Sequence, residues 1–231
     1  MDTLAETGEG ELIRRIRRRG LCRPQGVVRG IGDDAAVYEV TPGRVAVVST
    51  DMLLEGVHFR LARSEPHRLG RKLLAVNLSD LAAMGATPRE AFLALAAPGD
   101  SPTQVIEQLL DGFLELASEH QVNLLGGDTC ASPQGLVVTV TLCGEAAAER
   151  LVYRSGARPG DLLAVTGTLG DAAAGLEWLE RGLPREQALA VLAAHEDPSP
   201  EVAAGIWLAA TGAVIGPQPV PGQQLGGPHE A

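Results

Sequence analysis

Apolar and polar positions along the chain follow two rhythms, one of about three and a half residues and one of two. Residues 9–19 follow the first: Leu12, Ile13 and Ile16 turn inward while Arg14, Arg15, Arg17, Arg18 and Arg19 turn outward, which predicts a short surface helix. Residues 36–40 and 45–49 read as two strands separated by a Thr-Pro-Gly turn. Residues 68–84 return to the helical period, with Leu73, Val76, Asn77, Asp80 and Met84 on one face and Leu74, Leu78 and Leu81 on the next. Apolar over most of its circumference, this helix is predicted to be buried on several sides. Residues 91–97 then predict a buried strand, 102–120 an amphipathic helix, 122–125 a strand stopped by Gly126 and Gly127, and 136–143 a Val- and Thr-rich strand. Residues 161–179 read as strand, glycine turn and helix, and 186–194 as another helix. The Gly-, Pro- and charge-rich stretch 149–161 marks a domain crossing.

Composition narrows the functional classes. The chain has 231 residues, 45% of them hydrophobic, enough to bury a substantial core. Its net charge of −10 argues against nucleic-acid and anionic-membrane partners, both of which call for basic surfaces. Aromatic residues make up only 3%, so stacking platforms for bases are not expected. Cys22, Cys130 and Cys143 are odd in number and far apart, which favours neither a disulfide framework nor a zinc site. The amino terminus lacks the basic and apolar regions of a signal peptide, and no stretch is suited to span a bilayer. A soluble, cytoplasmic protein is the expectation.

Four segments share one layout, in which an apolar run reaches small residues and then an aspartate. They are "GIGDDAAV", "VAVVSTDMLLEGVHF", "LLAVNLSDLAAMGA" and "VNLLGGDTC". An ionised carboxylate set against apolar packing costs several kcal/mol unless a cation or hydrogen-bond donors compensate it, on the order of the penalties known for buried charges. One such aspartate reads simply as a cap or turn residue. Four together point to a shared site for a hard cation, and Mg²⁺ suits carboxylates combined with substrate phosphates; the EF-hand loop that would suit calcium is absent. "GTLGDAAAG" (residues 167–175) matches neither the Walker A nor the GxGxxG pattern and reads as a plain turn into a helix, with a phosphate cradle as the alternative. His58 has no visible Ser or Cys partner, and the other histidines are scattered.

With "RSGARPGDLLAVTGTLGDAAAGL", these motifs occur in an order and spacing that resemble the thiamine-monophosphate kinases, of the aminoimidazole ribonucleotide synthetase-like superfamily. The resemblance covers roughly residues 10–214 and is closest over 30–176. It implies a two-domain α/β (α+β) fold whose N-terminal domain closes its sheet across a homodimer in a barrel-like interface. It implies ATP-dependent phosphorylation of thiamine monophosphate to thiamine diphosphate by direct in-line transfer, with Mg²⁺ as cofactor. Carried over by motif, Asp34, Ser49, Thr50, Asp51, Asp80 and Asp128 are the magnesium ligands; Gly127 and Asp128 touch ATP; Arg154 holds its phosphates; His58 contacts the substrate; Asp33 orients its loop.

The domains expected are 1–150 for ATP, Mg²⁺ and dimerisation, 151–214 as a partial C-terminal domain, and 215–231 as a disordered Gly- and Pro-rich tail. Family members continue past "TGAV" into an Asp-x-Ser-Asp-Gly strand and later a Gly-Gly-Glu-Asp segment, neither of which follows here. Weak or absent kinase activity is the corresponding expectation. A nucleotide-binding remnant without turnover and another ATP-using member of the superfamily are the competing readings.

Overall fold

The computed structural model describes residues 2–32, 34–155 and 157–212. The expectations for Asp33 and for the tail 215–231 lie outside the described residues. The chain opens with α1 (Leu4–Thr7), capped by the Thr3 hydroxyl and Glu6 in a reciprocal box, and α2 (Glu9–Arg19). In α2 Leu12 and Ile16 are buried and the five arginines exposed, as the period predicts.

The first sequence expectation to fail concerns the strands around the Thr-Pro-Gly turn. β2 (Val37–Tyr38) pairs antiparallel with the upstream β1 (Val27–Arg29) as a two-stranded ribbon, with Val27 opposite Tyr38. β3 (Val45–Leu54) instead joins the main sheet and runs on through Ser49, Thr50 and Asp51.

α3 (Pro66–Ala83), β4 (Thr87–Ala97), α4 (Thr103–Glu119), β5 (Asn123–Ala131) and β6 (Val137–Ala146) complete that body. The sheet order is β3-β6-β4-β5: β3/β6 and β6/β4 are antiparallel and β4/β5 parallel, joined by the α4 crossover. Leu73, Leu74, Leu78 and Leu81 of α3, Leu109 and Phe113 of α4, and Val138, Val140 and Leu142 of β6 form the centre of the core. The helices cross closely because Gly70 and Gly112 face each other's backbones; a Cβ would lie 1.8 Å from the Leu109 carbonyl oxygen at Gly70 and 1.9 Å from that of His67 at Gly112. The opposite face of the sheet is open, with Val48 and Met52 more than half exposed.

The second correction is at β5, which does not stop at Gly126 and Gly127 but passes through them. A register shift opposite Ala91 and Phe92 absorbs the extra residue, and Gly127 (φ 153°) lies so close to β4 that a Cβ would sit 1.8 Å from the Leu93 carbonyl oxygen. Glycine here permits the strand rather than ending it.

The third correction is the strand expected at the start of 161–179. These residues form no strand, and Leu162 and Leu163 are 97% and 98% exposed. A strand requires a hydrogen-bonded neighbour, and the described residues offer none to this segment. The following helix does form, as α5 (Asp171–Glu180), and packs on α6 (Leu189–Glu196). A further helix, α7 (Val202–Thr211), not expected from the pattern, lies against α3 with Gly205 over the Ala82 carbonyl.

Candidate active site

β3 brings the first carboxylate to α3. Alternation along the strand sends Ser49, Asp51 and the buried Leu53 to the helix side, and Val48, Thr50 and Met52 to the open side. Asp80 occupies the last turn of α3, half-buried, and accepts a hydrogen bond from the Ser49 hydroxyl at 2.6 Å. Asp51 is close enough to feel Asp80. Burial first, and then the Asp80 charge, push the Asp51 carboxyl above its ordinary range, while His58 pulls it back. His58 is exposed beyond the end of β3, held by the Leu54 amide donating to its Nδ1 at 3.1 Å.

Neither Asp51 nor Asp80 has a lysine or arginine partner among the described residues. One turn earlier on the same face of α3, Asn77 is fully buried; its amide donates to the Leu73 carbonyl at 3.3 Å but its Oδ1 has no hydrogen-bond partner. A buried acceptor left so costs about 1–3 kcal/mol. Asn77 was placed on this face by the helical period, but nothing in the sequence marks an unmatched oxygen.

A second group gathers at the other edge of the sheet. A cavity of about 580 Å³ between α2, residues 30–32 and 34–36, and the β4–β5 edge is lined by Asp34, Gly127 and Asp128, with Glu9, Phe92 and Ile13 among its other walls. Glu9 accepts a hydrogen bond from Thr129 at 3.0 Å, tying α2 to β5 across it. Asp128 is three strands from β3, roughly 14 Å at the usual strand spacing. The four aspartates therefore stand as two pairs rather than one cluster. Among the described residues no group of three or more His, Cys, Asp or Glu side chains is placed to hold a metal ion by itself.

Two expected site residues stand apart. The Thr50 hydroxyl faces the open side of the sheet, near the Val140 carbonyl (3.2 Å) and the Thr141 hydroxyl (3.0 Å). Arg154 is exposed in the loop after residues 148–150, with no hydrogen bond or ion pair to a described residue.

A buried polar group at the base of the sheet escaped the sequence reading. Glu90 is 2% exposed, accepts from the Asn123 amide at 3.0 Å and pairs with Arg23. Burial raises its carboxyl, which Asn123 and Arg23 oppose. Asn123 also accepts the Cys22 and Arg23 amides at 3.0 and 2.7 Å, so the group fastens the segment after α2 to the sheet.

Residues 32–146 match the family of AIR synthase related proteins, N-terminal domain. Over these residues the chain belongs to that family. Thiamine-monophosphate kinase of Bacillus subtilis (strain 168) is 41% identical over 180 residues, covering 76% of this chain and 55% of its own length. The crystal structure of thiamine-monophosphate kinase from Stenotrophomonas maltophilia K279a superposes with a TM-score of 0.76 at 38% identity, covering 86% of this chain and 64% of that one. A solved complex, AaThiL with AMPPCP and TMP, superposes with a TM-score of 0.68 at 33% identity, covering 90% of this chain and 65% of that one. The AIR synthase-like α/β fold is thus shared. The chain spans somewhat over half to just under two thirds of the lengths of these relatives.

Proposed function

We propose that this chain carries the nucleotide- and magnesium-binding part of a thiamine-monophosphate kinase, which transfers the terminal phosphoryl group of ATP to thiamine monophosphate to give thiamine diphosphate. The observation that carries the reading is the Ser49–Asp80–Asp51 group, in which two carboxylates face each other without a basic partner. The likeness to kinases of this name, and to a complex holding AMPPCP and TMP, supports the substrate pair.

The donor set fits magnesium. It consists of hard oxygens, burial and then the Asp80 charge raise the Asp51 carboxyl, and Asn77 Oδ1 is unmatched one turn away. Among the described residues neither place brings three acidic side chains into an arrangement that holds a metal by itself, which suits an ion that takes only one or two carboxylates and draws its remaining ligands from water and phosphate. Ser49, Asp51 and Asp80 would hold it on the helix side of β3, with Asp34 and Asp128 at the cavity. Bound there, magnesium would neutralise the charge on the phosphoryl oxygens.

The protein's own part is to position and to neutralise. The cavity seats the nucleotide against the Gly127–Asp128 stretch of β5. The exposed His58 meets the second substrate, and Arg154 reaches the phosphates from its loop. A phosphate oxygen of thiamine monophosphate attacks the terminal phosphorus in line, the bond to the bridging oxygen breaks, and ADP leaves. No side chain need act as a strong base, because such transfers are accelerated mainly by alignment and charge stabilisation.

The open sheet face supports a homodimer. Val48 and Met52 present apolar surface, and two such faces meeting as a barrel would cover both. Residues 1–150 would then form the dimerising domain and 151–214 the start of a second. A nucleotide-binding module without turnover is the second reading, favoured by the bare Leu162 and Leu163 in the segment that follows. Incubation with ATP, Mg²⁺ and thiamine monophosphate, with thiamine diphosphate measured by chromatography, separates the two. Product that vanishes in Asp51→Asn supports the kinase, whereas Mg²⁺-dependent nucleotide binding without product supports the module. Absence of both overturns the nucleotide-site reading.

A further inference from the structure

The arginines of α2 are not equivalent. Arg14 pairs with Glu11, Arg15 with Glu11 and Glu107, and Arg19 with Asp111, so these charges are spent on neighbouring helices. Arg17 has no acidic partner among the described residues. Its guanidinium instead lies across Gly32, where a Cβ would sit 2.8 Å from Nη1 and 3.1 Å from Cζ. Gly32, at φ 118°, therefore serves twice: it adopts a backbone conformation that L side chains rarely take, and it leaves room for the guanidinium.

Gly32 is also part of the cavity wall, as are Glu9, Asp34 and Asp128. No lysine, arginine or histidine appears among the residues lining that cavity. A polyphosphate entering it meets three carboxylates and needs positive charge beyond what it carries in as a magnesium complex. The guanidinium of Arg17, without a carboxylate of its own among the described residues, rests on Gly32 in the wall of this cavity. Planar and permanently charged, it is suited to grip two phosphate oxygens at once.

We propose that Arg17, seated on Gly32, contacts the phosphate chain of the nucleotide in this cavity. The inference rests on the nucleotide reading of the cavity given above.

Titration calorimetry of the full chain with AMPPCP in Mg²⁺, and separately with adenosine, tests it. Arg17→Gln is expected to weaken AMPPCP binding about tenfold, in line with loss of a charge-assisted contact. Adenosine, which has no phosphate, is expected to bind Arg17→Gln as it binds the wild type. Arg17→Lys should recover part of the loss, and Arg18→Gln, also exposed on α2 but turned away from Arg17, should stay within about twofold of wild type. Because Arg17 is exposed and unpaired, the melting temperature of Arg17→Gln should match that of the wild type. Equal AMPPCP affinity in wild type and Arg17→Gln would overturn the assignment while leaving the nucleotide reading intact, and so would an equal loss for adenosine. Failure of the wild type to bind AMPPCP overturns both.

Discussion

Lys72 gives the sharpest quantitative handle on the molecule. It lies on α3 facing α6, is only 9% exposed, and burial brings its ammonium pKa down to about 8 from 10.5, with Glu196 opposing the shift. At neutral pH the folded protein therefore holds a charge it would shed more readily than the unfolded chain does. Since one pKa unit corresponds to about 1.4 kcal/mol, the charged ammonium costs about 3 kcal/mol relative to the neutral amine in the same place. The sign follows from proton counts: between pH 8 and 10.5 the unfolded chain binds the proton and the folded chain does not, so stability rises with pH across that window. Lys72→Met removes both the charge and the slope. Glu196 is not orphaned, because Arg185 grips it directly and Arg68 stands 3.7 Å away. Urea unfolding of both proteins at intervals from pH 7 to 10 provides the measurement. The expected result is a Lys72→Met advantage of about 2–3 kcal/mol at pH 7 that shrinks steadily as pH rises above 8. A difference between the two proteins that stays flat from pH 7 to 10 would refute the reasoning, for it would mean that Lys72 is solvated in the fold.

Two further outcomes test the framework. Gly70→Ala places a methyl 1.8 Å from the Leu109 carbonyl oxygen, so α3 and α4 must separate; the loss should reach about 3 kcal/mol, at the upper end of overpacking costs, read as a lower urea midpoint. Replacing Val48 and Met52 together with Glu should leave the melting temperature within a few degrees of wild type while halving the mass measured by light scattering, if two open sheet faces meet in solution.

Much of the body was legible because its signals are local. α2 begins and ends where the arginine and leucine periods place it, and α3 is buried on the sides its leucines mark. What failed depended on partners distant in sequence. The 161–166 segment has strand composition but no neighbour to pair with, and residues 37–38 chose β1 over the segment across the turn. Gly126 and Gly127 resemble a stop unless one knows that β4 must approach closely. At the site, the four aspartates were visible as a set, but their division into two pairs follows from strand order, which a linear pattern does not contain. The orphaned oxygen of Asn77 and the buried Glu90–Asn123–Arg23 group are likewise products of packing.

The register of β3 has a consequence for how the protein comes into being. Val45 pairs with Ala146 and Leu54 with Val137, so the strand bearing Ser49 and Asp51 can be seated only after β6 has been made. During synthesis the β4–α4–β5 unit, built from contacts close in sequence, has every chance to form first, while β3 waits as an unpaired ribbon. The carboxylate pair is thus among the last features assembled, and the emerging chain keeps its two repelling acids apart until nearly all of the sheet exists to hold them.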